Sequence, residues 1–228
     1  MPALPAHVRQ ASMLIVIDAD GYLPRDTSAS PVSGRHLATP ETDGYRLREI
    51  GLAVWHANAV RTFTYFVYDV GVRALTGPET NYVFRRLHGL PRNPTKNSYV
   101  AFKNSRVCGS HEIIGILAQT LAALCAEPPA GSACVFVKGG HDAVWFGPAI
   151  PCPVFDLNDM HCPTATVLAQ TRNGNIPVCA NHSITQNHGM HCPSAEVLYL
   201  LDWLVSALRR THTQTQSHIQ ARPYCPAT

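Results

Sequence analysis

Residues 13–21 read Met-Leu-Ile-Val-Ile-Asp-Ala-Asp-Gly, an apolar run that delivers two carboxylates, Asp18 and Asp20, at its C-terminal end. Five apolar residues rich in branched side chains predict a buried strand, and Gly21 ends it. Side chains alternate across a strand, so Asp18 and Asp20 share one face. Neighbouring carboxylates repel unless a cation lies between them, which makes the pair a candidate site for a hard metal ion. Asp-Ala-Asp-Gly is also good turn chemistry, and a strand closing in a solvated turn is the competing expectation.

A chain of 228 residues can bury one substantial core, so a single domain with tails is expected. Its formal charge of +3 permits a nucleic-acid partner without requiring one. No run approaches the roughly eighteen continuous apolar residues of a membrane span. Residues 1–12 lack the apolar core of a secretion signal. The expectation is an intracellular protein, cytoplasmic or nuclear, with no membrane partner. Without an export signal, and with histidines interleaved among several of them, the eight cysteines are expected to be reduced and available to metal.

The expected domain covers residues 13–210, after an N-terminal tail at 1–12. Residues 21–44 are rich in Ser, Pro, Thr and Gly without periodicity and predict a long exposed loop. Residues 45–55 and 61–68 predict two strands whose short link, residues 56–60, favours an antiparallel hairpin. Residues 71–107 carry Arg73, Arg85, Arg86, Arg92, Lys96, Lys103 and Arg106 among Tyr82, Phe84, Tyr99 and Phe102. Basic and aromatic residues mixed in this way suit single-stranded nucleic acid, and equally a solvated face over a few core aromatics. Ser110 is the expected N-cap of a helix over 111–126, where Ile113, Ile114, Leu117, Leu121 and Leu124 follow the 3.6 period. Residues 133–137 and 154–157 predict two further strands. Residues 193–210 predict a strong amphipathic helix with proline first, Glu196 in its first turn and Arg209 and Arg210 at its end. The polar tail at 211–228 is expected to be disordered.

An α/β order of this kind would bring further acids toward Asp18 and Asp20, and here a family likeness becomes specific. The chain resembles the DEDD (DnaQ-like) 3′–5′ exonuclease superfamily, in the histidine-using (DEDDh) branch. Asp18-Ala19-Asp20 stands where the family has Asp-x-Glu. Residues 48–54 and 62–67 are similar to its second and third strands. Leu87-His88-Gly89-Leu90 is similar to its short His-Gly element. Gly140-His141-Asp142-Ala143-Val144-Trp145-Phe146 matches the first half of its second motif, with Phe146 in the place of a metal-binding aspartate and Asp142 one helical turn earlier. His191-Cys192-Pro193-Ser194-Ala195-Glu196 has the spacing of its third motif, with Glu196 in the aspartate place.

The resemblance implies a ribonuclease-H-like mixed sheet flanked by helices. It also implies two-metal hydrolysis of phosphodiesters at the single-stranded or 3′ ends of DNA or RNA. Asp18, Asp20 and Glu196 would hold Mg2+ or Mn2+, with Asp142 as a further candidate. His191 would orient or deprotonate the attacking water.

A short internal echo adds a second constellation. Met160-His161-Cys162-Pro163 and Met190-His191-Cys192-Pro193 each precede an apolar helical pattern, which places both cysteines at a helix N-terminus, where thiolate is favoured. Cys179 and His182 between them have Cys-x-x-His spacing. Cys162, Cys179, His182 and Cys192 therefore form a candidate structural Zn2+ set within segment 160–192, with His161 or His188 as substitutes. Such a zinc would staple the loop before the last helix. Buried free cysteines beside solvated histidines are the plain alternative.

The leading expectation is a metal-dependent 3′–5′ exonuclease. Its rival is a catalytically silent exonuclease-like module that binds nucleic acid or protein. A purely zinc-organised interaction domain is a third possibility.

Overall fold

Met13, Ile15 and Ile17 lie on one face of the first strand and Leu14 and Val16 on the other, and all five are fully buried. A strand apolar on both faces has to sit inside a covered sheet. The computed structural model describes residues 4–22, 46–68, 96–99, 105–128, 132–139, 142, 146–147, 150–171 and 192–220. Among them the elements run α1 Ala6–Gln10, β1 Met13–Tyr22, β2 Arg46–His56, β3 Ala59–Tyr68, a 3-10 turn Lys96–Tyr99, β4 Arg106–Gly109, α2 Ile113–Ala126, β5 Ala133–Val137, β6 Val154–Asp156, α3 Ala165–Thr171 and α4 Pro193–Gln220. The six strands form one mixed sheet in the order β4-β3-β2-β1-β5-β6. β1, β2 and β3 pair antiparallel, whereas β4, β5 and β6 join their neighbours in parallel.

The hairpin expected between β2 and β3 closes at His56 opposite Ala59, so the turn is only Ala57 and Asn58. Both have positive φ, 50° and 62°, as a two-residue hairpin that follows the sheet's twist requires. One face of the sheet carries α2, whose Ile113, Leu117, Leu121 and Leu124 pack on Ile15, Ile17, Leu52, Val54 and Val135. The other face carries α1, α3 and α4, with Leu200, Leu201 and Leu204 of α4 packed over Leu14, Val16, Ala53 and Phe136.

Gly51 decides how closely α4 approaches. A Cβ on Gly51 would run into the backbone of Pro193 and lie 2.6 Å from the Ser194 nitrogen. Only a residue without a side chain lets the first turn of α4 rest on β2.

Several expectations change. Within the expected N-terminal tail, residues 4–12 include α1, which packs on the domain with Leu4 and Val8 buried and His7 stacked on Phe155 at 4.7 Å. The helix expected from 111 starts at Ile113 with Glu112 at its N-cap position, and Ser110 does not cap it. The Glu112 carboxylate instead accepts a bond from the Gly109 backbone N–H at 3.0 Å, reaching back to the end of β4. β4 itself falls in the segment read as weakly structured; four residues are too few to show a period. α4 runs to Gln220, ten residues into the tail expected to be disordered, because a polar helix can extend outward from a packed one.

The cysteines also depart from the reduced set. Cys125 at the end of α2 and Cys152 before β6 form a disulfide, while Cys108, Cys134, Cys162 and Cys192 are buried free thiols. Spacing alone could not disclose that pairing, since α2 and the β6 approach meet only through the fold. The expected loop at 21–44 starts late, because β1 continues through Gly21 to Tyr22; the rest of it, and all but the 3-10 turn and residues 105–107 of the basic and aromatic segment, lie outside the described residues. Among the described residues no helix is long and apolar enough to cross a membrane.

Candidate functional site

Asp18 and Asp20 follow Val16 on the α4 side of β1, where the strand leaves the core. Asp18 pairs with Gly51 in register, and Asp20 with Glu49. A bulge between Asp20 and Gly21 shifts the register, and pairing resumes with Gly21 opposite Leu47; such irregularities re-aim side chains at a sheet's rim. Because Gly51 admits the first turn of α4, Glu196 descends over the same end of β1.

Electrostatics show how near these acids are. Burial, and then the charges of Glu196, Asp142, Asp20 and Glu49, hold the Asp18 carboxyl well above the usual carboxylate range. Burial and the charges of Asp20, Glu49 and Asp142 push Glu196 up to about 8, with Lys138 opposing them. Asp142 is pushed up to about 7 by burial and by Asp156 and Asp20. Five acids contributed by β1, β2, the segment after β5 and α4 therefore gather at one end of the sheet. At Asp18, Glu196 and Asp142 the charges of neighbouring acids disfavour ionisation, which a cation would relieve.

The surroundings hold the acids in place. Glu49 is fully buried, and its Oε1 accepts hydrogen bonds from Ser194 Oγ at 2.8 Å and from Cys192 Sγ at 3.6 Å. Asp156 Oδ1 accepts from the backbone N–H groups of Asn158 at 2.8 Å and Gly139 at 3.3 Å, which ties β6 to the end of β5. Lys138 Nζ donates to the Cys162 carbonyl at 2.7 Å and to Asn158 Oδ1 at 3.2 Å, so the cation opposing the acids at Glu196 also braces the loop before α3.

No family model matches the chain, and no curated protein matches it either. The site therefore has to be judged on its own donors.

Of the expected site residues, Asp18, Asp20, Asp142 and Glu196 come together. Asp142 is buried, 7 % exposed, and acts on both Asp18 and Glu196, whereas Phe146, the residue in the place of the family's aspartate, is fully buried in the α2-side core. His191, Cys179 and His182 lie outside the described residues, as do His141 and His188. Cys162 and Cys192 belong to the same buried cluster beneath α4. The expectation that Cys162 favours thiolate is reversed: burial pushes its thiol up to about 11, against the pull of Lys138, because desolvation outweighs proximity to a short helix. Among the described residues no three His, Cys, Asp or Glu side chains close into a metal-holding group. The carboxylates meet as repelling neighbours without converging on one point.

Sequence reasoning missed Glu49 and Asp156. Asp156 ends a three-residue strand, where nothing in the pattern distinguishes it from a turn acid. Glu49 had a usable signal, a charged residue beside the apolar run of its strand; the register that sets it opposite Asp20 came only with the fold.

Proposed function

We propose that the chain is a metal-dependent 3′–5′ exonuclease of the DEDD type acting on the ends of DNA or RNA. The observation that carries this reading is the gathering of Asp18, Asp20, Asp142 and Glu196, far apart in sequence, at one end of a central strand. The strand order β3-β2-β1-β5-β6, antiparallel and then parallel, is compatible with a ribonuclease-H-like sheet, with β4 added at its edge.

Carboxylate oxygens are the donors that suit hard divalent cations such as Mg2+ or Mn2+. Asp18, Asp20 and Glu196 would hold them, with Asp142 beside them. When bound there, such cations would supply Lewis-acid polarisation of the scissile phosphate and a more acidic water. The protein's own part would be to present the carboxylates from β1 and α4, two elements packed against each other. His191, two residues before the start of α4, would orient or deprotonate the attacking water. A structural Zn2+ on Cys162, Cys179, His182 and Cys192 belongs to the same reading; the shared burial of Cys162 and Cys192 supports it, and the Cys192 thiol's bond to Glu49 competes with it.

A 3′-labelled and a 5′-labelled oligonucleotide, each incubated with protein in Mg2+ or Mn2+, test the activity. Stepwise shortening from the 3′ end, abolished by Asp18→Ala, is the expected result. The absence of any shortening in either metal refutes it. Metal analysis of protein purified without chelators tests the zinc, and less than about half an equivalent counts against it.

A second reading, a catalytically silent module of the same fold that binds nucleic acid or protein, is favoured by one observation. Phe146 is fully buried in the core at the position of the family's metal-binding aspartate. Oligonucleotide binding without degradation, unchanged by Asp18→Ala, selects it.

A further inference from the structure

We infer that the cavity between the residues leading into α1 and the outer strand β6 binds a small organic cation, an ammonium group carried on an apolar body. The inference stands without a metal at the carboxylate cluster. β6 closes the sheet on one side, and its three residues are only half-buried. Leu4, itself buried, and Pro5 line one part of the cavity and Val154 and Phe155 another, around a volume of about 240 Å³. Pockets for drug-sized ligands start near about 300 Å³, so this one suits a smaller molecule.

The lining has two unlike parts. To the apolar side chains of α1's approach and β6 it adds Met160, and against them stand the carboxylates of Asp156 and Asp159. No Lys, Arg or His is among the described residues lining the cavity. A run of turns fixes the acidic part: the backbone N–H groups of Asp159, Met160 and His161 donate to the carbonyls of Asp156, Leu157 and Asn158 at 3.1, 3.2 and 2.9 Å. Asp156 is held further through Oδ1, which accepts from the Gly139 and Asn158 backbones.

Two basic residues of this region are engaged elsewhere. Lys138 Nζ bonds to Asn158 Oδ1 and the Cys162 carbonyl, and the His7 ring lies on Phe155. Asp156 also acts on Asp142, so the acids at the end of the sheet add to the same negative field. A ligand that matches both parts has an apolar body for the wall and a positive head for the carboxylates. A bare divalent ion would leave the wall unused and find only two carboxylates, too few for a hard cation's shell.

The test titrates 2-phenylethylammonium, its neutral analogue 2-phenylethanol and Ca2+ into the full chain, read by the NMR shifts of backbone amides. Wild type is compared with Asp159→Asn and with Asp156→Asn/Asp159→Asn. The ammonium is expected to bind with a Kd on the order of 1 mM, ordinary for a ligand of this size, and to move the amides of residues 154–160. The alcohol binds about fivefold more weakly, as loss of a partly exposed charge pair implies. The double variant weakens the ammonium by about the same factor and leaves the alcohol unchanged. Asp156→Asn keeps an oxygen for its two backbone donors. Asp159 is exposed, so Asp159→Asn carries the test if the double variant fails to fold. Equal affinity for ammonium and alcohol, wild-type ammonium affinity in the variants, or no ammonium-induced shift at residues 154–160 overturns the site. Ca2+ moving those amides at lower concentration than the ammonium overturns it as well.

Discussion

Glu196, in the first turn of α4, is the strongest single charge acting on Asp18 of the central strand, although almost the whole domain separates them in sequence. Both acids are held protonated beyond the usual carboxylate range, and that has a consequence for stability. Glu196 moves from 4.5 to about 8, and Asp142 from 3.8 to about 7. Between the lower and upper values the folded state binds more protons than the unfolded one, so stability falls as pH rises. Their contribution is complete below about pH 4 and lost by about pH 8. Each pKa unit corresponds to about 1.4 kcal/mol before solvent screening is discounted. The thermal midpoint of chelator-treated protein is expected to drop between pH 5 and 8. Mn2+ restores it most strongly at pH 8, where the carboxylates are ionised. A midpoint that is flat or rising over that interval, with no Mn2+ response, contradicts the clustering of these acids.

Gly51 admits the backbone of α4, and backbone atoms cannot turn aside as a side-chain tip can. Gly51→Ala is expected to cost about 3 kcal/mol in urea unfolding, at the upper end for overpacking. It should also weaken Mn2+ binding, because the displaced turn carries Glu196. Loss of stability below about 0.5 kcal/mol would show that α4 does not rest on β2.

Phe146 decides whether the second motif can be repaired. It is fully buried among Ile17, Val137 and the α2 side chains, so Phe146→Asp places a carboxyl in an apolar core. A loss of roughly 4 kcal/mol or more is expected, from lost packing and an unsolvated acid. A well-folded Phe146→Asp protein that binds Mn2+ more tightly than wild type would place residue 146 with the acids instead.

The Cys125–Cys152 disulfide joins the end of α2 to the approach to β6, across a sequence separation of 27 residues that includes β5 and Asp142. Loop-closure entropy for such a ring amounts to about 3.5 kcal/mol at most. Cys152→Ser is expected to lower unfolding stability by an amount up to that figure, and a dithiol reductant should shift wild type by the same amount without affecting the variant. Equal stability of wild type and variant under oxidising conditions would rule the bond out.

The central strand, the β2–β3 hairpin, β5 and the core of α4 were legible because each carries a period of two, a continuous apolar run or a period of 3.6 long enough to exceed chance. Residues 133–137 were read with the bounds the structure has. What was short failed: the five residues of α1 and the four of β4 owe their form to the sheet and helices they pack against, such as Phe155 beneath His7. The start of α2 shifted because Glu112 reaches back to Gly109, a contact that propensity does not encode.

Asp18 and Asp20 were chosen as acids from type and spacing, Asp142 and Glu196 from the family resemblance, and the chain's order of apolar runs determined a covered α/β sheet. Their meeting at one end of that sheet was decided by tertiary structure: by the register that sets Asp18 opposite Gly51, and by the missing side chain there that lets α4 settle. The same folding drew Glu49 underneath them and turned Phe146 into the core. Period and composition depend on neighbours along the chain, whereas the charge felt by a carboxyl depends on neighbours in space, which only packing supplies.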